Sequence, residues 1–379
     1  MKKEKFLFVF VALFLMACKK NEILNNPKNS VTNATEAYKA IAAVIIASAK
    51  EDIKFRTIAY QECSKQKYGD YYVKLNELIS LNGQHKYWDR VTVDNLLDLQ
   101  KLCKREGKND VIVFIPSIEN HPEKAQSSIN NLSAERKVQN ASGLASESSE
   151  LGGYRYQDPI AVIADEYDNP TKTCPGYIVV MNGTLRFFQT IDEEFAWDYD
   201  VWVIGEEENL PAESMVAADE TNFIETNSTR VNGRSEYGGI VKVENWSLVE
   251  PWVSGKPEFR LIVFRGAGLD SNPKDKKFAK WRRRHFDNRF FNFGEFLFNW
   301  NVSNIGNWTT EKWVELDGGT SSSLSNTISW KDSFGNSYAS TVTLPSQNKD
   351  DDLGLTMIQF TDNINQEYGL TGIKIKRSH

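Results

Sequence analysis

The last third of the chain consists of short apolar segments, four to seven residues long, with turn-forming residues between them. Segments of this length are typical of strands, since helices in globular proteins run to about ten residues or more. Near the C-terminus, Ile373 and Ile375 alternate with Lys374 and Lys376, which predicts a strand with one solvated face. Even spacing of such strands favours an antiparallel β-sandwich. The predicted strands are residues 240–243, 258–264, 296–300, 313–316, 327–330, 338–344, 355–360 and 372–376.

The N-terminal half shows helical periodicity first and strand periodicity later. Between residues 35 and 59, apolar side chains such as Tyr38, Ile41 and Ile45 recur at spacings of three and four. Two further helices are predicted at 71–79 and at 93–103, the second with Thr92 as its N-cap. Strands are predicted at 111–115, 159–164, 177–181, 184–188 and 195–203, with Asn182-Gly183 as a hairpin turn.

These patterns together predict an α+β protein: a small helical module, β-rich segments, and a C-terminal antiparallel β-sandwich. Residues 117–158 are rich in Ser, Asn and Glu and are interpreted as a long loop. The predicted divisions are a signal peptide (1–17), a tether (18–33), a helical module (34–107), a β-rich middle (108–208), a linker (209–238) and the sandwich-like domain (239–379).

The first twenty residues have the layout of an export signal. Three lysines precede an unbroken apolar run over residues 6–17, which is too short for a stable bilayer-spanning helix. The run ends in Leu15-Met16-Ala17-Cys18, which resembles the lipobox of bacterial lipoproteins. That resemblance implies a diacylglyceryl group on Cys18, palmitate-type acyl chains, and attachment to the membrane through them. The alternative is an ordinary signal peptide that happens to contain Cys18. In such lipoproteins, an aspartate directly after the cysteine often causes retention at the inner membrane. This chain has Lys19 at that position, so the outer membrane is the expected location.

A second resemblance lies just after the tether. The stretch around Gly69-Asp70-Tyr71, between two helical segments, resembles a helical module of uncharacterised lipoproteins from Gram-negative bacteria. The resemblance implies an envelope location and a helical-then-β architecture, and no activity.

Charge and cysteine content narrow the classes of partner. A net charge of −6 argues against nucleic acid as a partner. In an oxidising compartment, Cys63 and Cys103 are the favoured disulfide pair, which would leave Cys174 over.

Acidic residues on loops raise the possibility of a calcium site. Asp350 and Asp352 precede a predicted strand and Asp362 follows it, so their carboxylates could meet at one edge of the sandwich. The competing interpretation is a solvated acidic loop. A second acidic group, formed by Asp165, Glu166 and Asp168, carries the same two interpretations.

Enzymatic signals are weak. The four histidines form no HExxH motif, and the chain contains no nucleophile elbow or phosphate loop. Paired carboxylates could hydrolyse a glycosidic bond. The candidates are Asp192, Glu193 and Glu194 in one place and Glu311 and Glu315 in another.

The segment 271–294 combines basic and aromatic residues. One interpretation is a surface for anionic lipid headgroups or an acidic partner. The other is an amphipathic segment whose rings pack in the core while Lys and Arg stems reach water.

The sequence therefore predicts a membrane-anchored lipoprotein of the cell envelope in a binding or envelope-assembly role without catalysis. Its expected partners are the membrane through Cys18 and a glycan, an anionic lipid headgroup or an envelope protein. The alternatives are a surface hydrolase of glycan or peptide and a calcium-stabilised β-sandwich module.

Overall fold

The structure is a computed structural model, and it describes residues 31–122, 158–180, 183–208, 229–265, 273–317, 320–331 and 337–379. The lipobox with Cys18, most of the predicted tether and most of the predicted loop 117–158 lie outside the described residues. The chain divides into two units, Met1–Glu207 and Glu208–His379.

Four of the six described helices of the N-terminal unit begin at a polar side-chain cap. Asn33 accepts a hydrogen bond from the Glu36 amide at 2.9 Å, and Asp89 accepts one from the Thr92 amide at 2.8 Å. Asp89 therefore occupies the cap position predicted for Thr92. The helices are α1 (Ala34–Glu51), α2 (Ile53–Ser64), α3 (Leu75–His85), α4 (Arg90–Arg105), α5 (Ser117–Asn120) and α6 (Glu193–Asp198).

The N-terminal unit also contains a six-stranded sheet. Its strands are β1 (Tyr72–Lys74), β2 (Val111–Phe114), β3 (Ile160–Ile163), β4 (Cys174–Val179), β5 (Leu185–Ile191) and β6 (Val201–Glu206). Their order is β1-β2-β6-β3-β4-β5, antiparallel apart from the parallel pair β3–β6. Helix α1 packs against β3 and β6 through its apolar face. The helices and the middle strands consequently share one core.

Two segments of this unit differ from the prediction. The alternating pattern over 195–203 predicts a strand, but α6 occupies its first part and β6 starts at Val201. Asp192 explains the difference, because its carboxylate accepts from the Phe195 amide at 2.8 Å and starts a helix. The helix predicted at 71–79 begins instead at Leu75, since Tyr72 to Lys74 pair with β2.

The C-terminal unit is a β-sandwich of two four-stranded sheets, with strand orders β10-β7-β16-β15 and β14-β11-β8-β9. The strands are β7 (Ser235–Val243), β8 (Phe259–Arg265), β9 (Lys274–Lys277), β10 (Phe291–Asn299), β11 (Trp308–Glu315), β14 (Asp351–Gln359), β15 (Tyr368–Gly369) and β16 (Ile373–Ser378). A short helix, α7 (Val302–Ile305), precedes β11. Strands β12 (Ser321–Lys331) and β13 (Ser337–Gln347) pair with each other as a long hairpin.

Side chains from both sheets fill the sandwich core. Val241 and Ile375 come from one sheet, and Phe259, Leu261 and Trp313 come from the other, all fully buried. The α+β class and the C-terminal sandwich predicted from the sequence are thus confirmed.

The described cysteines, Cys63, Cys103 and Cys174, are buried free thiols. The favoured Cys63–Cys103 bridge is therefore wrong in this structure. The Cys63 thiol donates instead to the Val113 carbonyl at 3.5 Å, and Cys174 donates to the Ile163 carbonyl at 3.4 Å. Across the described ranges, no helix has both the length and the apolar character needed to cross a bilayer.

Candidate functional site

Five carboxylates of the C-terminal unit converge in two overlapping groups. Glu208, Glu250 and Glu258 form one group, and Glu250, Glu315 and Asp317 form the other. Within each group, one oxygen of every residue lies within 4.8 Å of the others. Glu250 belongs to both groups, so the five residues form one assembly, which we name the acidic cluster.

Strands β8 and β11 position two members of the cluster. Glu315 is the last residue of β11 and pairs in register with Phe259, the first residue of β8. Glu258 precedes Phe259, and its amide donates to Glu315 Oε1 at 3.1 Å. Asp317 follows two residues after the end of β11. The antiparallel pairing of the two strands therefore brings all three carboxylates to the same end of the sheet.

Glu250 reaches the cluster from a compact connection between β7 and β8. A 3₁₀ turn over Trp246–Leu248 precedes it, and its amide donates to the Trp246 carbonyl at 2.9 Å. Pro251 and a second turn, Trp252–Ser254, follow it. This arrangement holds Glu250 between two tight turns.

Burial separates three of the five carboxylates from solvent, and Glu208 and Asp317 are half-buried. Glu250 is 1% exposed, and Glu258 and Glu315 are 0% exposed. Both carboxylate oxygens of Glu250 lie buried with no hydrogen-bond partner among the described residues, whereas the Glu315 and Asp317 carboxyl groups share a hydrogen bond. A buried carboxylate that lacks a donor is energetically unfavourable, since it loses its hydration without compensation.

Two cations of the basic segment point at the cluster. The Lys280 ammonium forms ion pairs with Glu258 and, at 3.0 Å, with Glu208. The Arg283 guanidinium donates from Nη1 to the Glu250 main-chain carbonyl at 2.8 Å and stacks on the Trp246 ring. Lysine charge therefore compensates the half of the cluster that contains Glu208 and Glu258.

The pKa values of the other half are raised. Burial, followed by the charges of Glu208 and Asp317, raises the pKa of Glu250 well above its ordinary value. Burial and the neighbouring carboxylates, Glu250 first, do the same to the pKa of Glu315. Burial and the charge of Glu208 raise the pKa of Asp317 to about 8. Without a bound cation, these groups hold protons at a pH where ordinary carboxyls are ionised.

An all-oxygen cluster of this kind can bind a hard cation or retain protons. It is poorly placed for hydrolysis, because a glycan or peptide cannot reach side chains that are almost wholly buried.

The three carboxylates predicted as calcium ligands each have a local partner. Asp350 accepts from the Gln347 amide at 2.8 Å. Asp352 forms an ion pair with buried Lys312 and accepts from the Gly354 amide. Asp362 accepts from the Gln359 amide and from the Tyr368 hydroxyl, both at 2.8 Å. None of the three belongs to the groups of convergent ligands found among the described residues.

The acidic loop nevertheless lies beside the cluster. Asp351 pairs in register with Glu315, and the charges of Asp351 and Asp350 both contribute to the raised pKa of Asp317. Of the predicted set, Asp350 and Asp352 therefore lie at the end of the sandwich where the carboxylates converge, whereas Asp362 follows the opposite end of β14.

The other acidic candidates also have partners. Asp165 pairs with Lys108 at 3.0 Å, and Glu166 pairs with Lys39 at 2.8 Å. Asp168 accepts from the Thr171 hydroxyl. These contacts account for the second acidic group as surface ion pairs and a turn.

The two carboxylate sets considered for glycoside hydrolysis have structural roles. Asp192 caps α6, and Glu193 and Glu194 lie in its first turn. Glu311 is buried, where it accepts from Arg377 at 2.7 Å and from the Trp313 indole. Of the two sets, only Glu315 lies in the acidic cluster.

The basic and aromatic segment serves the interior of the sandwich. Phe278, Phe286, Phe291 and Phe293 are buried in its core, as the amphipathic interpretation predicts. Lys280 and Arg283 differ from that interpretation, because they turn toward the acidic cluster rather than toward water.

Sequence reasoning missed Glu208, Glu250, Glu258 and Asp317. Glu250 and Glu258 each lie next to a proline at the end of a connection, and nothing in their spacing indicates that they meet Glu315. Comparison of the chain with protein-family models, with curated proteins and with solved structures gave no match.

Proposed function

We propose that this protein is a lipid-anchored component of the cell envelope, at the outer membrane, with a binding or assembly role and no catalysis. The anchor is Cys18, the last residue of the lipobox-like sequence. Acyl chains on this residue would hold both units at the membrane surface, since two or more chains give stable attachment.

One structural observation carries the non-catalytic part of the proposal. The carboxylates that could support hydrolysis are buried, as Glu311 and Glu315 are, or serve the start of a helix, as Asp192 does. A carboxylate pair that acts on a polymer needs an open cleft, so these residues are better explained by structural roles.

The partner we propose is a component of the envelope: a glycan, an anionic lipid headgroup or another envelope protein. A net charge of −6 disfavours nucleic acid.

The anchor is tested by replacing Cys18. We expect Cys18→Ala to move the protein from the membrane fraction to the soluble fraction, and mass spectrometry of the wild type to find an acylated N-terminal cysteine. Cys174→Ala is the matched control, because it removes a cysteine of the N-terminal unit and should leave the protein membrane-bound. A Cys18→Ala variant that stays bound to the membrane would refute the anchor.

The non-catalytic role is tested with the purified protein and a panel of envelope polysaccharides and peptides. We expect binding without turnover. Turnover that is lost on a single carboxylate change, such as Glu193→Gln or Glu315→Gln, would establish a hydrolase instead.

A further inference from the structure

We propose that Glu250, Glu315 and Asp317 bind one divalent cation of the calcium class inside the C-terminal sandwich. This inference goes beyond the proposed envelope role and does not depend on the lipid anchor. The loop carboxylates Asp350, Asp352 and Asp362 are not part of this site.

Glu250 is buried without hydrogen-bond partners for its carboxylate oxygens, which favours a bound cation. Its side chain is 1% exposed, it belongs to both carboxylate groups, and neither of its oxygens has a hydrogen-bond partner in the part of the chain that the structure describes. Folded proteins rarely leave a buried carboxylate in this condition, and a bound ion is one way to satisfy its oxygens. Glu315, by contrast, shares a side-chain hydrogen bond with Asp317, so Glu250 is the member of this group whose oxygens have no such partner.

The spacing of the three carboxylates fits the coordination distance of calcium. Calcium binds oxygens at about 2.3–2.6 Å, so ligands on opposite sides of the ion lie about 4.6–5.2 Å apart. The chosen oxygens of Glu250, Glu315 and Asp317 all fall within 4.8 Å of one another and could therefore surround one such ion. Three bidentate carboxylates would supply six oxygens, the lower limit of the calcium coordination number.

The type of ligand indicates which class of cation the site would bind. Zinc sites in proteins use mainly sulfur and nitrogen ligands, whereas this site is built from oxygens alone. Magnesium keeps several waters and takes one or two carboxylates, which suits an open site. Three convergent carboxylates in a closed site therefore favour calcium over magnesium.

Lys280 forms its ion pairs with a different part of the cluster, although its charge and that of Arg283 also act on Glu250 and partly oppose the rise of its pKa. Its ammonium forms ion pairs with Glu258 and Glu208, and its side chain is 5% exposed. The group formed by Glu250, Glu315 and Asp317 is the part that a cation would complete.

Binding would join two segments that are distant in sequence. Glu250 lies on the connection before β8, whereas Glu315 ends β11 and Asp317 lies two residues beyond it. A cation held by all three would stabilise the folded sandwich relative to the unfolded chain, in proportion to the occupancy of the site.

The test is thermal unfolding and calorimetric titration of the full-length protein in detergent, after removal of metal ions with a chelator. We expect calcium to bind with a stoichiometry of one and, at about a hundredfold excess over its dissociation constant, to raise the Tm by about 5 °C or more. Magnesium at the same concentration should give a clearly smaller shift.

Glu250→Gln and Asp362→Asn are the matched variants. Glu250→Gln should weaken calcium binding at least tenfold and abolish the shift, while the Tm of the metal-free protein changes little, because the protonated carboxyl that it replaces is neutral as well. Asp362→Asn should retain the full calcium response, since the amide oxygen can still accept from the Gln359 amide. If Glu250→Gln fails to fold, Asp317→Asn at the edge of the cluster replaces it.

Three results would overturn the assignment. The first is an unchanged Tm and no heat of binding in the wild type. The second is a full calcium response in a folded Glu250→Gln or Asp317→Asn variant; if the response were then lost in Asp362→Asn, the ion would lie at Asp362 instead. The third is an equal response to magnesium, which would exclude the calcium class.

Discussion

Asp200 is a buried carboxylate of the N-terminal unit that contacts several polar side chains. It is fully buried, forms an ion pair with buried Arg56, and accepts hydrogen bonds from the Tyr60 hydroxyl and, at 2.7 Å, from the Trp202 indole. Its main-chain carbonyl accepts from the Ile160 amide at 2.9 Å. The carboxylate of Asp200 thus joins α2 to β6, and its main-chain carbonyl joins the start of β3.

We expect Asp200→Asn to lower the free energy of unfolding of this unit by about 3–5 kcal/mol. The amide keeps an oxygen for Tyr60 and Trp202 but removes the negative charge that Asp200 places against the Arg56 guanidinium. Urea unfolding of the variant and the wild type measures the difference. Asp198→Asn is the control, since that side chain is 62% exposed and its loss of charge should change stability by less than about 0.5 kcal/mol. Equal effects of the two substitutions would contradict the role assigned to Asp200.

For single residues, the sequence indicates which residue types are present, but not which of them come into contact in the fold. Glu315 and the aspartates at 350–352 are visible as an acidic surplus among strands. Glu250 lies 65 positions before Glu315, and only the fold brings them together. Convergence of this kind depends on strand pairing between distant segments, which spacing along the chain does not encode.

Among the elements, strand β7 contains a position that only glycine suits. Gly239 has a φ of +77°, and a Cβ there would lie 2.9 Å from Phe278 Cζ and 3.1 Å from Phe293 Cβ. The register of β7 with β10 shifts at this position, between Asn292 and Glu295, so Gly239 lies at a β-bulge.

We expect Gly239→Ala to destabilise the sandwich by about 2–5 kcal/mol, because left-handed backbone strain adds to overpacking. Gly83→Ala is the contrasting change, since Gly83 lies within α3 and the added methyl group would meet no atom of the described residues within 4 Å. It should stabilise the N-terminal unit by about 0.5–1 kcal/mol. Denaturant unfolding of both variants measures these changes, and a neutral Gly239→Ala would mean that the bulge can relax.

The elements predicted correctly are those whose local chemistry agrees with their tertiary setting. The Asn182-Gly183 signal predicts a hairpin, and β4 and β5 pair antiparallel with Val179 opposite Leu185. Strand β9 is missed because its sequence, Lys-Asp-Lys-Lys, has no apolar pattern. It pairs at the edge of β8, where Asp275 forms an ion pair with Arg260 at 2.6 Å.

At the scale of the molecule, the sequence predicts the α+β class but separates the helices from the strands that follow them. In the structure, α1 packs on β3 and β6, and β1 joins β2, so residues 34–107 and the strands up to Glu206 share one unit. A change from helical to strand periodicity therefore marks a change of layer here and not a change of unit. Strand β7 begins at Ser235, inside the range predicted as a linker.

Raised pKa values of thiols and phenols are concentrated in the N-terminal unit. Burial raises the pKa of Cys103 to about 11 and that of Cys174 to about 12, and raises the pKa of Cys63 as well. Burial also raises the pKa of Tyr38, Tyr87 and Tyr177 in this unit. In the described part of the C-terminal unit, Tyr368 is the one such group, with burial again the main cause.

Alkaline pH should consequently weaken the N-terminal unit first. A group whose pKa is higher in the folded state contributes stability that is complete below the unfolded pKa, near 9 for a thiol and 10 for a phenol, and is lost as pH rises through the folded value. Ionisation of each thiol should lower the free energy of unfolding by about 1.4 kcal/mol for every pH unit above 9, up to its folded pKa.

Hydrogen exchange at fixed urea, compared between about pH 8 and pH 10 and corrected for the intrinsic rate, resolves the two units by peptide. We expect the loss of protection to appear first in α1, β2 and β3 and to be reduced in a Cys103→Ala/Cys174→Ala double variant. Earlier loss of protection in β8 and β11 would show that these thiols and phenols do not set the alkaline limit of the fold.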